Sequence, residues 1–181
     1  TLSSRLLAIF ALTTLVSLAC NLRAETKRPN ILWLVGENMK LDLGCYGTEN
    51  VKTPNLDGLA AKGERYTHVF STSPVCAPSR SAFFVGMYQT SSDTHNMRSH
   101  REDDYRLPEG VRPLTHRLMD VGYFTANIAT MNGEEVGSAK LDLNFVNEGK
   151  LYDTDKWEDL KSNQPFFAPV SYTHLTLPTR S

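Results

Sequence analysis

The chain has 181 residues, 40% hydrophobic and 22% charged, a composition that excludes a disordered or collagen-like protein and fits one globular domain. Lys and Arg number 19 against 20 Asp and Glu, so the formal net charge of −1 supplies no field to draw in nucleic acid or an anionic membrane. A basic-patch binder is disfavoured on that ground.

Residues 1–24 hold Arg5, an apolar run from Leu6 to Cys20 and then Leu22-Arg23-Ala24, the layout of a secretory signal ending on a small residue. The run falls short of the roughly 20 apolar residues of a bilayer span, so an exported, periplasmic or extracellular protein with no stable membrane span is expected. A lipoprotein anchor through Cys20 is less favoured, because Ser17 stands where such signals carry Leu. Losing this segment removes Arg5 and Arg23 and takes the net charge from −1 to −3. Cys45 and Cys76 then remain, and in an exported chain they could form one disulfide, although the setting of Cys76 points to other work.

The body of the chain, 25–170, reads as alternating strands and helices. Asn30 to Gly36 is a continuous apolar run after Pro29, the pattern of a strand buried on both faces. Thr53-Pro54 gives an N-cap and a first-turn proline, Leu56, Leu59 and Ala60 make a helical stripe, and Gly63 stops it. Tyr66 to Phe70 reads as a second strand. Leu114, Leu118 and Val121 make another helical stripe closed by Gly122, Tyr123 to Ile128 a third strand, and Phe166 to Ala168 a last one. Such alternation predicts βαβ units and an α/β fold with a largely parallel sheet, whose function gathers beyond the carboxyl ends of the strands.

Two loops hold that position. The first strand runs into Glu37-Asn38, an acid beside an amide. The second runs through Ser71 to Arg80 into the apolar helical stretch Ser81 to Val85, which sets Cys76 at or just before a helix N-terminus. Free N–H groups and the helix dipole favour a tetrahedral oxyanion there.

Cys76, Pro78, Ser79 and Arg80 form a Cys-x-Pro-Ser-Arg motif that resembles the signature of the type I sulfatases, the formylglycine-dependent branch of the alkaline-phosphatase-like superfamily. Arg28 to Leu32, Asp42 to Gly47, Thr53 to Asp57 and Gly122 to Ala126 resemble further phrases of that family, and the likeness runs over about residues 28–168. Met87 to Arg101 and Lys140 are most similar to the heparan N-sulfatase (sulfamidase) type. The resemblance implies a three-layer sandwich with a largely parallel central sheet, of which this chain is an N-terminal part. Residues 171–181, which hold His174, do not continue the family pattern and read as a non-native tail.

The same resemblance implies a mechanism. Cys76 would be oxidised during export to formylglycine by a formylglycine-generating or anaerobic sulfatase-maturating enzyme, and the hydrated aldehyde would attack the sulfur and then release sulfate through its second hydroxyl. Pro78 and Arg80 would belong to the determinant read by that enzyme, with Arg80 also holding the hydrated aldehyde. One divalent cation, Ca²⁺ or alternatively Mg²⁺, would be bound by Cys76 and by Glu37 and Asn38, which align with an adjacent Asp pair; the neutral Asn38 predicts weaker binding. Lys140 aligns with the lysine of a Gly-Lys-x-His motif whose histidine is here Asp142. An aspartate donates no proton at neutral pH unless its pKa is raised, so the leaving-group acid must come from elsewhere. His95 stands where family members place an active-site histidine, whereas His68, His100 and His116 have no motif support. The charged run Arg98 to Arg106 reads as a solvated face rather than a site for sulfated sugars, although it could shape a polyanion cleft.

Three readings follow: a sulfuric ester hydrolase acting on a sulfated carbohydrate such as an N-sulfated heparan-type sugar, a phosphodiesterase or phosphonate hydrolase of the same superfamily, or a catalytically dead sulfatase-like binding protein. The intact Cys-x-Pro-Ser-Arg motif favours the first two. Three residues between Cys76 and Arg80 are too few for a tyrosine-phosphatase loop.

Overall fold

A computed structural model describes residues 27–100 and 102–172. The expected signal with Cys20 and the tail residues 173–181 with His174 lie outside the described residues. β1 (Ile31–Gly36) pairs in parallel with β5 (Phe166–Tyr172), which pairs in parallel with β2 (Phe124–Met131). The far side of β2 carries β3 (Glu134–Glu135), antiparallel, and β4 (Thr154–Lys156), parallel. Three helices accompany the sheet: α1 (Pro54–Lys62), α2 (Cys76–Val85) and α3 (Leu114–Asp120). The mixed α/β class and the largely parallel sheet agree with the sequence pattern.

The core lies on the central pair β5 and β2. Ala126, Ile128, Leu160, Ala168 and Val170 are buried together, with Phe124, Val136, Trp157 and Phe166 packed against them. Each large side chain removed from water in such a cluster contributes about 1.5–3 kcal/mol. β5 extends through Ser171 and Tyr172, so the first two residues of the expected tail lie in the strand.

Several expectations need correction. β1 is not buried on both faces: it is the edge strand among the described residues, and Leu34 is 50% exposed. Tyr66 to Phe70 forms no strand: it pairs with none of the five strands among the described residues, and Phe70 is 85% exposed. The stripes on α1 and α3 each lose a member to solvent, Leu59 and Val121. Thr53 precedes α1 as expected, but its hydroxyl accepts from the Gly44 N–H and donates to Asp57, and makes no cap bond. The Asn132-Gly133 turn that folds β3 back on β2 has positive φ at both residues, the signature of a tight hairpin that those two residue types announce.

α2 is packed on one face through Ala77, Pro78, Ser81, Ala82 and Phe84 and ends at Gly86, whose φ of 67° closes the last turn in the left-handed region. Ser81 Oγ accepts the Asn144 N–H at 2.9 Å, and the Asn144 side-chain amide donates to the carbonyls of Thr94 and Asn96 at 2.8 and 2.5 Å. These bonds tie α2, the 94–98 loop and the 137–144 segment into one unit. Gly137 is required there, since a Cβ would stand 2.5 Å from the Ile128 carbonyl oxygen.

Candidate active site

Parallel pairing of β1 with β5 opens the carboxyl ends of both strands on the same side of the sheet, where parallel sheets place their sites. The Glu37 N–H continues the ladder to Tyr172 O at 3.0 Å, and Asn38 follows with a φ of 54°. Opposite, α2 starts at Cys76 after an extended Val75 that gives no side-chain cap. The first-turn N–H groups are therefore left for an anion. Glu37, Asn38, Ser73, Cys76, Ser79 and Arg80 line a cavity of about 330 Å³ between these loops.

A chain of charges starts at Arg80 and Glu37 in the cavity and runs on through Lys140 and Asp142 to Arg98. Arg80 forms an ion pair with Glu37 in which the two side chains are only 8% and 7% exposed. Two further N–H groups of the Arg80 guanidinium donate to Ser171 Oγ at 3.2 and 3.3 Å, and its Nε is buried with no partner among the described residues. The other Glu37 oxygen accepts from Lys140 Nζ at 3.0 Å. Lys140 lies 3.6 Å from Asp142, whose other oxygen takes Arg98 Nε at 3.2 Å. Asp142 is 3% exposed, and burial alone would raise its carboxyl. Hydrogen bonding from Cys76 and Arg98 and the charges of Arg98 and Lys140 outweigh that and hold it below the ordinary carboxylate range. An ionised Asp142 accepts hydrogen bonds at the thiol and has no proton to give.

The structure thus brings Cys76, Arg80, Lys140, Glu37 and Asn38 together. His95 does not line the cavity; it is partly exposed and lies 3.5 Å from Asp93. His116 bonds the Lys150 carbonyl, and His100 bonds Asp103 and stacks on Tyr105, both away from the site. Cys45 and Cys76 are both free thiols, and Cys76 Sγ sits 3.8 Å from Met97 Sδ. Ser171 enters the site without a motif to announce it, and Met97 and Arg98 enter it from stretches that the sequence marked only as a family-like segment and a charged run. For Ser171 the usable signal was its place at the carboxyl end of a parallel strand next to β1.

As a test for a divalent cation, Glu37 and Asn38 offer a carboxylate and an amide oxygen in the same cavity as Cys76, which fits a hard cation in donor type. They form part of a coordination shell: among the described residues no three His, Cys, Asp or Glu side chains cluster as a metal site. Also among the described residues, no helix is long and apolar enough to cross a membrane.

A family profile described as Sulfatase matches residues 29–170. An ulvan-active sulfatase of Formosa agariphila is 35% identical over 159 residues, covering 81% of this chain and 25% of that protein. An N-acetylglucosamine-6-O-sulfatase of Bacteroides thetaiotaomicron is 29% identical, covering 87% of this chain and 28% of its own. In fold, a solved 2-O GAG sulfatase superposes with a TM-score of 0.63 at 18% identity, over 82% of this chain and 35% of its own. The chain spans about a quarter of the length of the curated relatives it matches.

Proposed function

The chain belongs to the sulfatase family, and from that premise we propose that it carries the nucleophile end of a sulfuric ester hydrolase that removes sulfate from a sulfated glycan. The observation that supports this most is the placing of Cys76 at an uncapped helix N-terminus in a cavity shared with Arg80 and Glu37, with Lys140 bonded to Glu37. Converted to formylglycine by a maturation enzyme met during export, Cys76 would supply a hydrated aldehyde as nucleophile. A divalent cation, Ca²⁺ or Mg²⁺, held by Glu37 and Asn38 would draw charge from the sulfate and sharpen that nucleophile.

The chain's own residues do the rest. Arg80, fixed by Glu37 and Ser171, holds its positive charge in the same cavity as the nucleophile. Lys140, bonded to Glu37 from the 137–144 segment, would add positive charge beside the sulfate as its oxygens gather negative charge. Asp142 accepts a hydrogen bond at the position of Cys76. The α2 N-terminus adds its dipole to the same point.

The glycan class follows the names of the relatives, one for ulvan and one for the 6-O-sulfate of N-acetylglucosamine; an N-sulfated heparan-type sugar belongs to the same class. Retention of Cys76 with Arg80 and Lys140 favours an active hydrolase over a binding protein. The test is release of inorganic sulfate, measured against phosphate release from the matching ester, by the full-length protein made with a formylglycine-generating enzyme. Sulfate release lost in Cys76→Ala supports the proposal, and preferential phosphate release overturns it in favour of a phosphoester or phosphonate hydrolase.

A further inference from the structure

Arg98 stands beside the nucleophile, one carboxylate away from it. Its neighbour Met97 touches the Cys76 thiol at 3.8 Å, and its own Nε is bound to Asp142, which also accepts from Cys76. The Arg98 side chain is nonetheless 48% exposed, and its terminal Nη1 and Nη2 fork meets no partner among the described residues. Asp142 is 3% exposed, and burying a carboxylate is costly unless it is paired. A solvated surface arginine calls for no such anchor.

The backbone carries a second sign. Arg98 and Asp142 both lie in the left-handed region, with φ of 54° and 37°, which non-glycine residues enter at a cost. The two strained residues face each other across the 3.2 Å bond. A tether at Nε leaves the planar fork free and already oriented, the form in which a guanidinium recognises a carboxylate or sulfate through paired N–H groups. Orientation fixed in advance lowers the entropy lost on binding.

We infer that Arg98 is a specificity-determining residue that binds a second anionic group of the substrate, a sulfate or carboxylate on the same sugar as the scissile sulfate or the next one. Asp142 is its positioning residue. The inference rests on the sulfated-glycan reading and names the substrate as a polyanion.

Binding to the full-length Cys76→Ser protein, which cannot turn over, separates the two. The probes are glucosamine 6-sulfate, its 2-N,6-O-disulfated form and a 6-sulfated glucosamine linked to a uronic acid, measured by calorimetry. A tighter Kd for the disulfated sugar assigns the second group as sulfate, and for the uronate as carboxylate; either supports Arg98. Arg98→Gln is expected to abolish that preference, a loss of about fivefold, with the monosulfated Kd unchanged. Asp142→Asn is expected to weaken the same preference. Equal binding of all three sugars, or a preference that survives in Arg98→Gln, overturns the inference; a preference kept in full by Asp142→Asn overturns the positioning role. An Arg98-dependent preference in a protein whose unsubstituted form releases no sulfate leaves Arg98 standing and sinks the hydrolase reading.

Discussion

Lys140 donates to Glu37 at 3.0 Å across 103 positions of sequence, joining the loop after β1 to the segment that follows β2. The same carboxylate holds Arg80 from α2, so one side chain gathers three parts of the chain around Cys76.

Removing that carboxylate leaves Arg80 buried and unpaired. Breaking a buried ion pair from one side costs about 3–5 kcal/mol. Arg80 keeps its bonds to Ser171, which places Glu37→Gln near the lower end of that range. Urea unfolding of the full-length protein measures it, and a midpoint equal to the unsubstituted protein's contradicts the clasp.

Lys140 pairs with the other oxygen of Glu37 and sets a second positive charge beside the cavity. Lys140→Ala is expected to lower kcat/KM for sulfate release by about 10²- to 10³-fold, the usual cost of losing one preorganised charge-stabilising donor. Steady-state kinetics on an aryl sulfate checks this, and unchanged kcat/KM removes Lys140 from the sulfate site.

Gly137 lets the Lys140 segment pass over β2. In Gly137→Ala the new methyl meets the Ile128 carbonyl at 2.5 Å, so the segment must shift. A loss of about 1–3 kcal/mol is expected, as for overpacking elsewhere, with a fall in activity larger than stability explains because Lys140 moves. Thermal unfolding and kinetics on one preparation separate the two effects.

His100 gives a pH dependence with a definite sign. Its hydrogen bond to Asp103 raises its pKa above the ordinary histidine value against the lowering effect of burial, and the bond to the Asp93 carbonyl and the nearby carboxylates add to the rise. A raised folded pKa means that the contact stabilises the 93–105 loop fully below the unfolded pKa of about 6.5 and loses this as pH rises through the folded value. NMR titration of the His100 ring is expected to give a pKa above 6.5, falling toward it in Asp103→Asn. A pKa at or below 6.5 in the unsubstituted protein contradicts the contact.

Local pattern made much of this legible. The apolar runs at β1, β2 and β5, the Pro54 start of α1 and the place of Cys76 at the head of α2 follow from residue types within a few positions of one another. Tyr66 to Phe70 has strand-forming residues, but a strand exists only where an edge is present to pair with it, and that is a property of distant chain. The exposure of β1 has the same origin. At the site, Cys76, Arg80, Glu37 and Asn38 stand in two short phrases. Asp142 and Lys140 reach them only because Gly137 and Asn144 bring a remote segment over β2. Ser171 carries no local mark, and the charged run marked Arg98 without giving it a role, since their roles come from strand register and from a carboxylate 44 positions away.

The central claim is that Cys76 is the precursor of the nucleophile, and mass spectrometry of the tryptic peptide Tyr66 to Arg80 tests it most directly. In the full-length protein produced with a formylglycine-generating enzyme, the peptide is expected to carry an aldehyde in place of the Cys76 thiol, and the modified protein to release sulfate. An unmodified thiol at Cys76 under those conditions contradicts the claim.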